Sequence, residues 1–289
     1  MIDALVLGST GMLGTAVSRR LNSSELSVVS TSRNRNSDDV FFEAGRTNLE
    51  EIVANYEPRY VINNIGIIKQ KIYNETSNQT VKFLNGDFPT QLNQVALKYG
   101  SRVIQIATDC VFSGESGPYG ESSVRDAQDI YGASKKIGEI ESRNFLNIRC
   151  SIIGMERETN FSLWNWLLSQ PENAKVNGYS NHIWNGVTTE TFSRLVYGVV
   201  RDSINLSGTF HFVPTDYLSK YQLLKLLCKY SDRTDIEVCE YLADTNVDRR
   251  LYTEFPIINE QLWSYAGYKV IPSIETLISN YEGDANGKE

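Results

Sequence analysis

The first 150 residues alternate between two kinds of hydrophobic pattern. Short, continuous apolar runs rich in β-branched residues are separated by longer amphipathic segments such as "GMLGTAVSRRLN" and "FPTQLNQVALKYG". The apolar runs predict buried strands, and the amphipathic segments predict helices, the second of them ending at Gly100. Strands and helices that alternate in this way form βαβ units on a parallel sheet. The apolar runs are "ALVLG", "LSVVSTS", "YVINNIG", "RVIQIATD" and "FLNIRCS".

After residue 150 the pattern becomes aromatic and irregular, and each segment supports at most one helix or strand. We interpret this part as a smaller α/β domain that packs on the first domain and binds the substrate. The predicted fold class is therefore α/β, a doubly wound parallel sheet with a smaller C-terminal α/β domain. The predicted boundaries are 1–152 with about 187–204 for the first domain, 153–186 with 205–281 for the second, and 282–289 for a flexible tail.

Composition and charge narrow the class of partner. The 289-residue chain has a net charge of -7 and no stripe of lysine or arginine, which gives little support to nucleic-acid or anionic-membrane binding. Its apolar stretches are shorter than the roughly 20 residues of a membrane helix, and no basic leader precedes the first strand. The four cysteines lack metal-site spacing, so we expect reduced thiols and no metal. We therefore expect a cytoplasmic protein with a small-molecule partner.

A glycine-rich turn follows the first predicted strand. Gly8, Gly11 and Gly14 recur at intervals of three residues in "LVLGSTGMLG", directly before the first predicted helix. Glycines there let the backbone approach a pyrophosphate, while the helix N-terminus offers unpaired N–H groups and a partial positive charge. Because the dinucleotide fingerprint requires this position between strand and helix, the pattern predicts a dinucleotide site on a Rossmann sheet.

The second predicted strand bears on the choice of dinucleotide. It runs into "SVVSTSRNRN", and no acidic residue follows until Asp38. A carboxylate at that strand end suits the adenosine ribose of NAD, whereas hydroxyl and guanidinium groups suit a 2′-phosphate. Ser32 and Arg33 therefore favour NADPH, and NADH stays open. The alternative for Arg33 is an ordinary exposed loop arginine.

Tyr131 and Lys135 lie one helical turn apart in "DIYGASKKIGE", so their side chains share one face of a predicted helix. An ammonium beside a phenol stabilises the phenolate and lowers its pKa from about 10, which suits the phenol to proton exchange with a carbonyl or alcohol oxygen. Thr108, at the end of the strand in "IQIATDCVF", offers a hydroxyl to the same oxygen. Such a pair is common by chance in helices, but its conjunction with Thr108 and the glycine turn predicts a catalytic site.

These stretches together resemble the extended short-chain dehydrogenases/reductases, and more narrowly the dTDP-4-dehydrorhamnose reductase group of nucleotide-sugar reductases. The resemblance covers the first 190 residues and includes "GSTGMLG", "PRYVINNIG", "QIATDCVFSG", "DIYGASKKIGE" and "NGVTT". It implies hydride transfer from NADPH to the C4 ketone of a dTDP- or UDP-linked 4-dehydro-6-deoxyhexose, with Tyr131 as proton donor. The product would serve deoxysugar and polysaccharide biosynthesis.

The resemblance also implies roles for particular residues. Thr108, Tyr131 and Lys135 match the catalytic residues of the family, and Asp109 and Cys110 match its pocket wall, where the family usually has tyrosine in place of the cysteine. The residues implied in cofactor binding are Gly8, Thr10, Gly11, Met12, Leu13, Gly14, Ser32, Arg33, Asn63, Gly66, Asn85, Tyr131 and Lys135.

The sugar-binding half is less clear from the sequence. Asn160, Phe161 and Trp184 fall where the family binds its sugar nucleotide, and stacking on the ligand and packing in the core both stay open for the aromatic residues. Arg249 and Arg250 are candidates for a diphosphate contact, or a solvated pair.

Two other functions stay open. An NDP-sugar epimerase on the same scaffold would also use Tyr131 but would retain its nicotinamide. A non-catalytic subunit would bind a dinucleotide and regulate another enzyme, although such proteins often lose part of the Tyr-Lys pair that this chain keeps. The motif "TDC" lacks the glutamate of related dehydratases, which favours reduction over dehydration. The oligomeric state is open, with a homodimer among the options.

Overall fold

The computed structural model describes residues 1–72, 77–156 and 160–281, so the predicted tail at 282–289 lies outside the described residues. In chain order, the strands are β1 (Ile2–Leu7), β2 (Val28–Ser32), β3 (Val40–Phe41), β4 (Pro58–Asn63), β5 (Arg102–Ala107), β6 (Phe145–Arg149), β7 (Ser151–Ile153), β8 (Lys175–Tyr179), β9 (His182–Trp184), β10 (Gly186–Thr188), β11 (Gly208–His211), β12 (Leu218–Ser219), β13 (Glu237–Tyr241) and β14 (Val247–Asp248).

The helices connect these strands and cover both faces of the main sheet. Two short segments of other helical types, a π-helical turn at Phe83–Asp87 and a 3₁₀ turn at Asp109–Val111, lie beside the site described below. The α-helices are α1 (Met12–Asn22), α2 (Leu49–Tyr56), α3 (Lys69–Ile72), α4 (Asn78–Lys82), α5 (Phe88–Tyr99), α6 (Ile130–Ile137), α7 (Leu163–Leu168), α8 (Thr189–Arg201), α9 (Lys220–Tyr230), α10 (Pro256–Tyr265) and α11 (Ile274–Ser279).

The main sheet has seven strands in the order β11-β6-β5-β4-β1-β2-β3, and every neighbouring pair is parallel. Successive strands run outwards in one direction from β1 to β3, and in the other from β4 to β6. The order therefore reverses between β1 and β4, and in such sheets the crevice at the carboxyl ends of the reversing strands binds the ligand. This confirms the predicted doubly wound Rossmann sheet.

The sheet is buried on both faces, which explains why its strands read as continuous apolar runs. Along β1, Ala4 and Val6 belong to a core that contains α1, α8 and α10, whereas Leu5 and Leu7 belong to a second core that contains α2 and α5. As predicted, α5 ends at Gly100, which has a left-handed φ of 71°.

The remaining strands form small sheets, in which β8 pairs with β13, β9 lies between β12 and β14, and β7 pairs with β10. Helices α7, α9 and α11 pack on them around a separate core that includes Trp164, Trp184 and Leu223. Residues 208–211, which we had assigned to the smaller domain, instead form β11 at the edge of the main sheet. The run "GTFHF" is short and aromatic, like the other segments after residue 150, so its sequence pattern did not separate it from them. Its pairing with β6 depends on tertiary contact. Among the described residues, no helix has the length and apolarity needed to cross a membrane.

Candidate active site

The glycine turn has the geometry that close approach to a phosphate requires. Gly8 has a left-handed φ of 77°, and a Cβ on Gly14 would lie 1.9 Å from the carbonyl oxygen of Gly8. Gly11 begins α1 with no side-chain cap, and the first turn of that helix contains no acidic residue. The amides at this helix N-terminus therefore suit an anion. Of the flanking residues, Thr10 is exposed, whereas the side chain of Leu13 packs in the core. Only the backbone of Leu13 is therefore available for contact with an anion.

The adenosine side of the crevice contains an acid that the sequence did not predict there. Ser32 is buried at the end of β2, and its Oγ accepts a hydrogen bond from the amide of Asn34 at 2.9 Å, while Arg33 is exposed. Asp39 folds back to the glycine turn, where its Oδ2 lies 2.5 Å from the Oγ of Ser9. A carboxylate thus lies beside the glycine turn, and the exposed Arg33 directly follows the end of β2.

Two buried asparagines shape the loop after β4. Asn63 Oδ1 accepts a hydrogen bond from the amide of Ile65 at 3.1 Å, and its Nδ2 donates to Gln105 at 2.8 Å. Asn85, in the π-helical turn, bonds both backbone groups of Ile67, at 2.9 and 3.1 Å. Both side chains are engaged within the protein, so their described contacts position the loop.

Gly66 lies where this loop meets α6. A Cβ on Gly66 would lie 3.0 Å from Asn85 Oδ1 and 3.5 Å from Lys135 Nζ. Asn85 also donates to Ser134 Oγ at 3.1 Å, which ties the π-helical turn to α6. The structure therefore brings together Gly66, Asn85 and Lys135 from three separate elements.

Thr108 and Tyr131 meet where the 3₁₀ turn contacts α6. Thr108 Oγ1 accepts a hydrogen bond from the amide of Cys110 at 3.1 Å, which begins the 3₁₀ turn at the end of β5. Asp129 caps α6 by accepting hydrogen bonds from the amides of Tyr131 and Gly132, each at 3.1 Å. A Cβ on Gly132 would lie 2.3 Å from the carbonyl oxygen of Cys110. Gly132, which we did not predict as a site residue, thus permits the contact that places Tyr131 beside Thr108.

The pKa of Tyr131 corrects one of our predictions. Burial raises the pKa of the phenol well above its usual value, and the charges of Cys110 and Asp109 raise it further, while hydrogen bonding by Thr108 opposes the rise. The predicted lowering is wrong for this structure, because loss of solvation has the largest effect on the phenol. Burial also lowers the pKa of Lys135, to about 8, although Glu139 opposes the shift. The phenol is consequently protonated at neutral pH and can donate a proton.

The predicted substrate wall is buried and charged. Burial raises the pKa of Asp109, while the charges of Arg249 and Lys220 lower it. Burial, followed by the charge of Asp109, raises the pKa of the Cys110 thiol to about 12, so this cysteine is not a thiolate nucleophile. Among the described residues, no group of three or more His, Cys, Asp and Glu side chains could hold a metal ion.

The other predicted substrate residues lie in different surroundings. Trp184 is 5% exposed, packs in the core and donates its Nε1 hydrogen to Ser151 Oγ at 2.7 Å, which favours the core interpretation. Asn160 is exposed and Phe161 partly buried, and within the described ranges neither has a hydrogen bond or ring contact with the catalytic residues. Arg250 forms an ion pair with Asp248 at 2.6 Å.

The residues present fit a dinucleotide. The open glycine turn, the uncapped α1 amides and the approach of Lys135 to Gly66 lie along the carboxyl ends of neighbouring strands β1, β4 and β5. The sequence motifs revealed the glycines and the Tyr-Lys pair. The sequence did not reveal Asp39, Gly132 or Lys220, although the glycine directly after Tyr131 was a usable signal of close packing.

Curated proteins similar to this chain have more than one role. The beta subunit of methionine adenosyltransferase 2 from Xenopus laevis is 28% identical over 138 residues, which are 47% of this chain and 41% of that protein. The dTDP-4-dehydrorhamnose reductase of Streptomyces griseus is 29% identical over 136 residues, which are 47% of this chain and 43% of that protein. The chain thus spans less than half the length of the curated relatives it matches.

Comparison with solved structures and family models extends over more of the chain. The structure of a dTDP-4-dehydrorhamnose reductase from Bacillus anthracis in complex with NADP has a TM-score of 0.76 at 16% identity, and the match covers 99% of both chains. This likeness shows a shared fold. The family model described as RmlD substrate binding domain matches residues 2–245, which is most of the chain. The protein therefore belongs to the RmlD substrate binding domain family.

Proposed function

We propose that this protein is an NADPH-dependent reductase that acts on the C4 ketone of a nucleotide-linked 4-dehydro-6-deoxyhexose. The observation that carries the proposal is the convergence of Thr108, Tyr131 and Lys135 at the crevice that begins at the glycine turn. A protonated phenol beside a hydroxyl, at the edge of a dinucleotide crevice, is suited to reduce a carbonyl group.

The residues of the site divide the chemistry between them. Bound NADPH supplies the hydride. Thr108 hydrogen-bonds the ketone oxygen and orients it, and Tyr131 donates its proton to that oxygen as negative charge develops there. Lys135, next to Gly66, holds the nicotinamide ribose and stabilises the phenolate that remains.

The similar proteins support this assignment. The Streptomyces griseus relative is a dTDP-4-dehydrorhamnose reductase, and the Bacillus anthracis structure holds NADP. We extend these properties to the present chain, with a dTDP- or UDP-linked substrate and NADH as the other cofactor. We also propose that it works in the cytoplasm in deoxysugar and polysaccharide biosynthesis, that the smaller domain binds the sugar nucleotide, and that a homodimer is the form to test.

The test is oxidation of NADPH by the purified protein with a panel of dTDP- and UDP-linked 4-dehydro-6-deoxyhexoses. We expect the NADPH absorbance to fall with at least one of these sugars and the product to be reduced at C4. Mass spectrometry of the purified protein provides a control, because an epimerase retains its nicotinamide and a reductase exchanges it. Binding of NADPH without oxidation across the whole panel would contradict the proposal and favour a regulatory subunit.

A further inference from the structure

Lys220 is a cation beside the catalytic crevice for which the proposed chemistry has no use. It is the first residue of α9, directly after Ser219, whose Oγ caps the helix by accepting the amide of Gln222 at 3.1 Å. Pairing of β12 with β9 sets Leu218 opposite Trp184, and Lys220 Nζ lies 5.2 Å from the centroid of the Trp184 ring. Lys220 is therefore held in place by a rigid cap and by an aromatic ring.

Trp184 locates this lysine relative to the main sheet. The indole N–H donates to Ser151, which lies two residues beyond the end of β6, and β6 is the neighbour of the strand that carries Thr108. The charges of Asp109 and Cys110, the two residues after Thr108, also act on Lys220. Lys220 therefore lies near Asp109, at the carboxyl end of β5.

The position is unfavourable for a cation in the protein alone. Lys220 is partly buried, and the N-terminus of α9 carries a partial positive charge that repels it. Within residues 1–72, 77–156 and 160–281 it has no hydrogen bond and no carboxylate oxygen within 4.0 Å. Burial lowers its pKa to about 8, Arg249 lowers it further, and Asp109 opposes the shift. By contrast, Lys225 on the same helix is exposed.

Lys220 and Arg249 both act on Asp109 without a direct ion pair. Arg249 donates to the carbonyl oxygens of Phe112 and Ser113, at 2.9 and 3.0 Å, so its hydrogen bonds go to uncharged groups. The charge of Arg249 also acts on Asp126. Within the described residues neither Lys220 nor Arg249 has a carboxylate oxygen within 4.0 Å, so two cations lie near Asp109 without direct contact with an anion.

We infer that Lys220 binds the anionic phosphate oxygens of the nucleotide-linked substrate. This inference rests on the proposed function and makes Lys220 a determinant of substrate binding. A phosphate would supply the direct ion pair that Lys220 lacks among the described residues, and in a partly desolvated pocket such a charged contact is strong. The catalytic residues have no part in this contact, so it should affect binding separately from proton donation.

The experiment compares Lys220→Met with the matched variant Lys225→Met, which removes an exposed lysine from the same helix. Calorimetry measures the Kd of UDP, UDP-glucose, dTDP-glucose and UDP-glucuronic acid in the presence of NADP⁺. We expect Lys220→Met to weaken binding by about 10-fold or more and Lys225→Met to leave it unchanged. An equal loss for all four ligands is the expected result, because all four share the phosphates.

Two results would overturn the inference, and they have different consequences for the proposed function. If the wild type binds these nucleotides and both variants bind them equally well, Lys220 does not contact the substrate and the proposed function stands. If the wild type binds none of them, the proposed function fails and the inference fails with it. Thermal unfolding of each variant checks the fold, and Lys220→Gln, which keeps a polar group, replaces the methionine variant if that one does not fold.

Discussion

The two sides of the candidate active site are built in different ways. On the cofactor side, glycines and backbone amides from one short stretch form the turn, and the buried Asn63 and Asn85 are fully engaged in fixing the next loop. On the proposed substrate side, Asp109, Lys220 and Arg249 come from distant parts of the chain, and within the described residues neither cation has a carboxylate oxygen within 4.0 Å. In a site for an invariant ligand such as the cofactor, the polar groups of the protein can find their partners within the protein. A site that selects its substrate keeps polar groups whose hydrogen bonds or ion pairs only that substrate supplies.

The largest effect should come from the residue on which both sides converge. Tyr131→Phe removes the proton donor, and we expect turnover to fall by about 10²- to 10⁴-fold, while the Kd of NADPH stays nearly unchanged. Steady-state kinetics and a fluorescence titration with NADPH measure the two quantities. Tyr241→Phe, at an exposed position, is the control and should retain full activity. Unchanged turnover in Tyr131→Phe would remove this residue from the mechanism.

Next in size is a pair of glycine variants that test the cofactor side. Gly14→Ala places a methyl group 1.9 Å from the Gly8 carbonyl oxygen, so we expect α1 to shift, stability to fall by about 1–3 kcal/mol and NADPH binding to weaken. In Gly11→Ala the new Cβ lies 3.9 Å from the same oxygen, so we expect no loss of stability. The added methyl group hinders the close approach of the pyrophosphate to the backbone, so we expect NADPH binding to weaken. Urea unfolding and NADPH titration separate the two effects. A Gly11→Ala variant with unaltered NADPH affinity would contradict a phosphate contact at this turn.

The pH dependence should show the lowered pKa of Lys135. Because that pKa is about 8, the cation is lost as the pH rises through this value, and we expect kcat/KM to fall above about pH 8. The contribution of Lys135 to the free energy of unfolding changes in the opposite direction to kcat/KM. The unfolded chain holds more protons than the folded one between the folded pKa of about 8 and the ordinary lysine pKa of 10.5, so stability attributable to this group rises with pH in that window.

Unfolding of Lys135→Met and of the wild type across this pH range measures that contribution. We expect the wild type to gain stability relative to Lys135→Met as the pH rises from about 8 to 10, because the variant has no proton to lose there. Lys136→Met, which removes the adjacent exposed lysine, serves as the control and should follow the wild type. A constant difference between the wild type and Lys135→Met would contradict the buried position of this ammonium group.

The smallest effect concerns the choice between NADPH and NADH. We expect Arg33→Ala to weaken NADPH more than NADH by about 10-fold at most, because Arg33 is exposed and its charge is screened. Asp39→Asn should act in the opposite direction and weaken NADH relative to NADPH, because it removes the carboxylate beside Ser9. Titrations with both dinucleotides give the ratios. Equal losses for both cofactors in Arg33→Ala would show that Arg33 does not recognise the 2′-phosphate.

The sequence by itself predicted the parallel sheet, the glycine turn and the shared helix face of Tyr131 and Lys135, because each leaves a local pattern in the chain. Continuous apolar runs report burial on both faces, a strand-turn-helix junction fixes where the glycines lie, and an i, i+4 spacing sets Tyr131 and Lys135 on one face.

Only the tertiary structure decided the position of β11, the return of Asp39 to the glycine turn, the core position of Trp184 and the approach of Lys220 to Asp109. It also reversed the expected pKa shift of Tyr131, since solvation depends on everything packed around the phenol and not on its helical neighbour alone. Long-range pairing and burial have no period or motif in the chain, so local spacing could not reveal them.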